Sequence, residues 1–354
     1  MEKTFIKGNE AIAEAAVRAG CKFFSGYPIT PQNEIPEYLS VRLPEVGGVF
    51  VQGESELASI NMIYGASCSG KRVMTSSSGP GLSLKAEGIS YLAGSKLPAV
   101  IIDVARTGCG LGQIKPGQND YWFVKSPGHG GFKTIILAPS SVQEAVDLTY
   151  KAFDLADRDL NPVIVLTDGV TGAMMESVTL PEFKKNDYDK SNWILDGCKD
   201  RESRIVTSVT LDFDALEKFH ISQDTMYKKW DKEDVMVEEY MVEDAEYIIA
   251  AYGVSARIAK TAIKELRKSG VKIGLIRPIT ITPYPYESFE KLDYSKVKGV
   301  LVVELCIPSQ MIDDVKLGVL KKAPVFTFGR GGGFIISPEE IIESVNKNFL
   351  KEVL

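Results

Sequence analysis

With 354 residues, 44% of them hydrophobic, the chain is long enough for two or three domains with substantial cores. Its 41 basic and 47 acidic residues leave a net charge of −6, which argues against a partner held by positive charge, nucleic acid above all. The five cysteines, at 21, 68, 109, 198 and 306, include no CxxC pair, and the two histidines are His129 and His220. A metal site or iron–sulfur cluster held by this chain alone is therefore not expected, nor is a His-based hydrolytic triad. Isolated thiols fit a reducing cytosol. The N-terminal MEKTFIKGNEAIAEAA lacks the apolar core of a signal peptide, and no stretch of ~18 apolar residues occurs. The expectation is a cytoplasmic chain without a membrane span.

Helical spacing over 8–19 ends at Gly20. Continuous apolar runs at 22–24, 48–51, 72–75, 99–105, 134–138 and 162–167 then read as strands covered on both faces. Helical patterns near 32–43, 55–68, 82–94 and 141–156 separate them. This βα alternation predicts a mainly parallel sheet with helices on both faces, over 1–183. From 184 to 243 the rhythm is lost. KKNDYDK and DKEDVMVEE are polar, and Phe213, Leu216, Phe219, Met226 and Trp230 line one face of an amphipathic connecting helix expected to dock on a domain. A second, smaller α/β series occupies 244–354. Its strands are EYIIAAYG, VKIGLIRP, VKGVLVVELC and APVFTFG; its helices are 255–269, 285–293, 310–320 and 338–349.

Open parallel sheets bind ligands beyond the carboxyl ends of their strands, so the loops there matter most. SGYPITPQNEIPEY (25–38) is either a rigid turn with Pro31 opening a helix or a ligand-facing wall. In QGESELASI (52–60), Glu54 and Glu56 either favour the positive end of a helix or do chemistry. TSSSGPGLS (75–83) places hydroxyls and glycines where backbone N–H groups can cradle an anion, but it lacks the Lys-Ser/Thr ending of a P-loop and the dinucleotide fingerprint. VARTGCGLGQIKPGQNDYW (104–122) opens with Arg106, which is suited to gripping a carboxylate or to a surface ion pair. TDG at 167–169 lacks the flanking residues of a diphosphate and magnesium segment, and FGRGGGF at 328–334 reads as a flexible loop.

Taken in order, these segments resemble the 2-oxoacid:ferredoxin oxidoreductases, in the subunit that carries the pyrimidine-binding domain for thiamine diphosphate. GNEAIAEAAVRAGCKFFSGYPITPQNEI, GESELASI, SGPG, ILAPSSVQEAVDLTYKAFDLAD and RPITITPYP carry the likeness over nearly the whole chain. The resemblance implies a pyrimidine-binding α/β domain plus a transketolase C-terminal-like α/β domain. It implies Glu56 as the carboxyl beside the pyrimidine nitrogen, with Tyr27, Pro28, Ile29, Ser78 and Gly79 around the cofactor. Thr30 and Arg106 match the substrate's carbonyl and carboxylate holders. The loop from Arg106 is similar to the 2-oxoisovalerate and 2-oxoglutarate branch, although Thr107 and Cys109 depart from the usual Arg-Gly-Gly-Pro. The implied reaction is oxidative decarboxylation of a 2-oxoacid to acyl-CoA and CO2, with electrons passing to ferredoxin. The implied partners are a thiamine-diphosphate-domain subunit, a gamma-type subunit and a ferredoxin-like subunit, which would hold Mg2+ and the 4Fe-4S clusters. Rival readings are a dinucleotide enzyme, for which SGYPITP stands where Gly-x-Gly-x-x-Gly is needed, a non-catalytic assembly subunit, and a thiamine decarboxylase half that hands no electrons to ferredoxin.

Overall fold

The computed structural model describes residues 3–185 and 188–350; Asn186 and Asp187 of the polar run, and residues 351–354, lie outside them. The larger sheet runs Val49–Gln52, Cys21–Gly26, Arg72–Ser77, Ala99–Thr107, Pro162–Asp168, Ile135–Leu137 and Thr280–Thr282. Along this path all pairings are parallel except the last, and Gln113–Pro116 pairs antiparallel with the end of Ala99–Thr107. The central strand Ala99–Thr107 is buried at every residue, as its unbroken apolar run predicts. Its side chains alternate between faces. Val100, Ile102 and Val104 pack with Ile12, Leu39 and Leu148 of the helices Gly8–Arg18, Glu34–Glu45 and Val142–Asp159. Ala99, Ile101 and Ala105 face Ile60, Ile63, Leu82 and Ile89 of the helices Glu56–Cys68 and Gly79–Gly94.

The smaller sheet has the order Val237–Tyr240, Ile273–Pro278, Tyr247–Ala250, Gly299–Glu304 and Val325–Gly329, parallel except for its first strand. Two of its neighbours cross the expected outline. Val237–Tyr240 comes from the polar connecting segment, and Thr280–Thr282, just past the Ile273–Pro278 strand, joins the larger sheet. A two-stranded ribbon, Lys3–Lys7 against Met175–Thr179, was not expected; its strands are short and mostly polar. The connecting helix spans Phe213–Glu233, but only its C-terminal part docks. Tyr227 and Trp230 are buried, the latter donating to Asp159 Oδ2 at 2.8 Å, whereas Phe213 is 88% exposed. The expected apolar stripe is therefore packed over its last turns alone.

The loop from Gly117 to Trp122 is clamped to the smaller sheet through Gln118. Its Nε2 donates to the Tyr252 carbonyl at 3.1 Å, and its Oε1 accepts from Ser255 Oγ at 2.7 Å and Leu305 N at 2.8 Å. Its own backbone N–H donates to Leu305 O at 3.0 Å. Nearby, Tyr121 donates to Asp314 at 2.7 Å, and Trp122 Nε1 to the Gln310 carbonyl at 3.0 Å. Replacing Gln118 by Ala takes the partner from the buried Leu305 N–H and the buried Ser255 hydroxyl, each costing about 1–3 kcal/mol. Denaturant unfolding should show Gln118→Ala to be destabilised by roughly 2–4 kcal/mol. A midpoint matching the unsubstituted chain would mean that the clamp does not hold the two sheets together.

Candidate active site

The carboxyl ends of the central strands meet the loops singled out from the sequence. Glu56 is the first residue of its helix, and Ser55 is the cap, accepting from Ala58 N at 3.1 Å. Glu56 is buried, 6% exposed, while Glu54 lies exposed before the cap. The Glu56 carboxylate faces Gly81 on the neighbouring helix. A methyl group there would stand 2.5 Å from Glu56 Oε1 and 3.1 Å from Ile29 Cδ1, and would also strike Ser77 Oγ. Glycine at 81 is thus what leaves room beside the carboxylate. Ser77 and Ser78 Oγ are buried and have no hydrogen-bond partner.

A second group forms around Arg106, which is 7% exposed at the end of Ala99–Thr107. Its terminal nitrogens donate to main-chain carbonyls, Thr30 O at 3.1 Å and Leu111 O at 2.6 Å, while Nε has no partner. Gly79, at φ +43°, brings its backbone against Arg106 and donates its N–H to Asp120 Oδ2 at 3.2 Å. The two groups are joined by consecutive residues, Ile29 touching the first and Thr30 the second. Tyr27, Pro28 and Thr30 are exposed on the same loop, and Pro28 borders a cavity of about 250 Å3 with Phe50 and Gln52. Pro31 does not open the following helix, which starts at Glu34; its ring packs against Gly169 instead. A separate cavity of about 810 Å3, beside Lys316, Lys321 and Pro324, is lined by none of these residues.

Three ionisable groups here escaped the sequence reading. Asp103 interrupts the run AVIIDVA and is fully buried with neither carboxyl oxygen hydrogen-bonded. Burial first, then the charge of Asp120, holds its carboxyl above the usual range. Asp120 is likewise raised by burial, against the opposing pull of the Gly79 and Arg106 N–H groups and the Arg106 charge. Lys85 is fully buried, its Nζ donating to Thr75 Oγ1 at 2.5 Å and Ser76 O at 2.9 Å. Desolvation pushes it down to about 7, with the charge of Glu56 pulling the other way. The available signals were a carboxylate inside a doubly covered strand and a lysine between Gly81 and Gly88 on the packed face of a helix. Asp168 of TDG caps the short helix that follows it, accepting from Val170 N at 2.9 Å and Thr171 N at 3.0 Å. The FGRGGGF loop is packed: Arg330 stacks on Phe334 with 4.7 Å to the ring centroid, and Gly333 abuts Lys115.

Residues 14–241 match the family model described as pyruvate flavodoxin/ferredoxin oxidoreductase, thiamine-diphosphate-binding. Residues 245–341 match the pyruvate:ferredoxin oxidoreductase core domain II. The chain is 46% identical over 349 residues to the ketoisovalerate oxidoreductase subunit VorB of Methanothermobacter marburgensis, covering 98% of each. It is 37% identical over 350 residues to the 2-oxoglutarate synthase subunit KorA of Archaeoglobus fulgidus, covering 98% of this chain and 99% of the other. Among solved structures, the 2-oxoglutarate:ferredoxin oxidoreductase from Magnetococcus marinus, with 2-oxoglutarate, coenzyme A and succinyl-CoA bound, superposes with a TM-score of 0.86 at 26% identity. The match covers 98% of this chain and 65% of that one, so the chain spans about two thirds of its length.

The raised carboxyl of Asp103 has a consequence for stability. Its ordinary value is 3.8, and the folded protein binds its proton more tightly than the unfolded chain does. The contribution is present in full below that value and is lost as pH rises through the folded pKa. Asp103→Asn cannot ionise. Its unfolding midpoint should exceed that of the unsubstituted chain at neutral pH, by a margin that shrinks on acidification. A margin that is constant with pH would show that Asp103 does not carry the extra proton.

Proposed function

Because this chain belongs to the 2-oxoacid:ferredoxin oxidoreductase family, we propose that it supplies the pyrimidine-binding half of a thiamine-diphosphate active site, completed by partner subunits. The observation that carries this reading is the Glu56 carboxyl, buried at a helix start and left room by Gly81. The surroundings fit the polar edge of an aromatic ring: an unhindered carboxyl, the apolar Ile29 beside it, and the unpartnered hydroxyls of Ser77 and Ser78. Thiamine diphosphate supplies a carbon nucleophile for the 2-oxo carbon and takes up the electron pair left when carbon dioxide departs.

In this reading Glu56 holds a proton against the pyrimidine nitrogen, Tyr27, Pro28 and Ile29 wall the ring, and Ser78 and Gly79 line its edge. Arg106 grips the substrate carboxylate, using the free Nε and a terminal nitrogen now on a main-chain carbonyl. Thr30, beside it, holds the substrate carbonyl. The overall reaction breaks the bond between the carboxylate and the 2-oxo carbon, places the sulfur of coenzyme A on that carbon, and sends two electrons singly to ferredoxin. The 4Fe-4S clusters and the Mg2+ that binds the diphosphate belong to the ferredoxin-like and thiamine-diphosphate-domain subunits, assembled with a gamma-type subunit. Branched 2-oxoacids, 2-oxoisovalerate first, are the best match; the higher identity to the ketoisovalerate subunit than to the 2-oxoglutarate subunit supports this. No helix among the described residues is long and apolar enough to cross a membrane, and the cysteines are free, in keeping with work in the cytoplasm.

In the assembled complex, Glu56→Gln should lower turnover by ~10²–10⁴ while leaving the fold intact, because an amide cannot exchange the proton. Glu54→Gln, at an exposed position, should be much milder. Steady-state kinetics of both variants decide this, and a more damaging Glu54 variant would shift the assignment by two residues. Arg106→Ala should cost about 1.5–3 kcal/mol in kcat/KM, roughly tenfold to a little over a hundredfold, with Arg106→Lys between it and the wild type. Thiamine diphosphate affinity should be unchanged in both. Unaltered kinetics with every 2-oxoacid would remove Arg106 from the substrate pocket.

A further inference from the structure

Lys85 is a charged side chain with no exposed surface. Its place follows from helix geometry. Gly81, Lys85 and Gly88 recur at helical spacing on one face of Gly79–Gly94. A methyl group on Gly81 would meet Glu56 Oε1 at 2.5 Å, and one on Gly88 would meet Ile60 at 2.5 Å. Glu56 and Ile60 are themselves one turn apart, so the two helices run face to face, and Lys85 lies on that face between the two glycines. Its Nζ reaches Thr75 Oγ1 and the Ser76 carbonyl. Thr75 spends its own proton on Ser25 O at 2.6 Å, so towards Lys85 it can only accept. Two acceptors leave the third N–H of an ammonium without a partner. Among the described residues, Glu56 is the charged group acting on it; the groups facing it from the strand are a hydroxyl and a carbonyl.

We propose that Lys85 is a positioning residue for Glu56, its buried ammonium stabilising the carboxylate left on Glu56 when that glutamate's proton passes to the nitrogen of a ring bound beside Gly81. The inference rests on the reading of Glu56 given above. The proton leaves Glu56 Oε, arrives on the ring nitrogen and returns by the same route, so no electrons and no co-reactant are involved. A carboxylate newly formed in a buried site is penalised by desolvation unless a cation stands near it. Burial holds Lys85 near the point where it loses that charge, since its pKa is about 7. The stabilisation is therefore present on the acid side and lost as pH rises through that value.

The test uses the assembled complex with thiamine diphosphate as the probe. In Lys85→Met an unbranched apolar chain replaces the ammonium, a change that buried sites tolerate well; Lys85→Gln serves as a second variant should the first fold poorly. Turnover should drop about tenfold to a hundredfold, the effect of one to two pK units of lost stabilisation, with the KM for the 2-oxoacid unmoved. The alkaline decline in kcat near neutral pH should disappear. Lys85→Arg, which keeps its charge, should retain activity and also lack that decline. Calorimetric titration with thiamine diphosphate gives a readout independent of turnover. Lys85→Met should alter its affinity in the wild type and make no further difference in a Glu56→Gln background. Wild-type turnover and pH profile in Lys85→Met, or an equal affinity change in both backgrounds, overturns the inference while Glu56→Gln remains inactive. An active Glu56→Gln overturns the reading of the site itself.

Discussion

The side-chain amide of Gln118 bonds to three points on the smaller sheet, and its backbone bonds to a fourth. Two residues later the same loop carries Asp120, which holds the Gly79 N–H. Gly79 in turn stands against Arg106. The smaller sheet therefore reaches the strand ends of the larger one through the hydrogen bonds of Gln118 and Asp120 and the contact of Gly79 with Arg106. Such groups have no water to fall back on, which makes the connection stiff. Arg277 adds a second tie, pairing with Glu144 of the larger body at 2.7 Å and with Glu238 of the smaller sheet at 2.6 Å. The two sheets act as one support for the site because polar contacts between them are satisfied, and a continuous apolar cluster runs from Ile101 to Ile248 and Ile276.

Within that support Arg106 is held, but weakly enough to be reassigned. Its partners Thr30 O and Leu111 O are neutral carbonyls. A carboxylate makes charge-assisted bonds about twice as strong, so it displaces such a carbonyl where geometry permits. Leu111 is 81% exposed and lies between Gly110 and Gly112, at φ +64° and +60°. The segment that would yield is therefore the one with the fewest packing contacts to lose and with backbone positions suited to glycine. Thr30, by contrast, precedes Pro31, which packs on Gly169, so that side of the arginine is fixed.

The alternation of apolar runs and helical patterns carried the architecture, because doubly covered strands such as Ala99–Thr107 leave a continuous hydrophobic trace. Short or polar strands leave none. Lys3 pairs with Thr179, 176 residues away, and Val237 with Pro278, 41 residues away, contacts that no local pattern announces. The connecting helix misled for the opposite reason: amphipathic spacing shows that a face exists without showing that anything covers it, and Phe213 remains in solvent. At the site, the loops at the strand ends were legible from composition, whereas the roles expected of Glu56, Thr30 and Arg106 came from the resemblance to a family. Lys85 and Asp103 were not, because each sits inside a pattern that reads as core, and their chemistry arises from what burial does to a charge.

The charges at the strand ends limit what can be placed there. Arg106 matches one carboxylate, and Lys85, wholly buried, faces Glu56. Asp120, beside that same arginine, and Asp103, fully buried and acted on by the charge of Asp120, hold their carboxyls above the usual range. Carboxyls held this way keep their protons longer where further negative charge is brought near, so an added anion would raise both still more. The same environment suits a neutral ring and a single carboxylate.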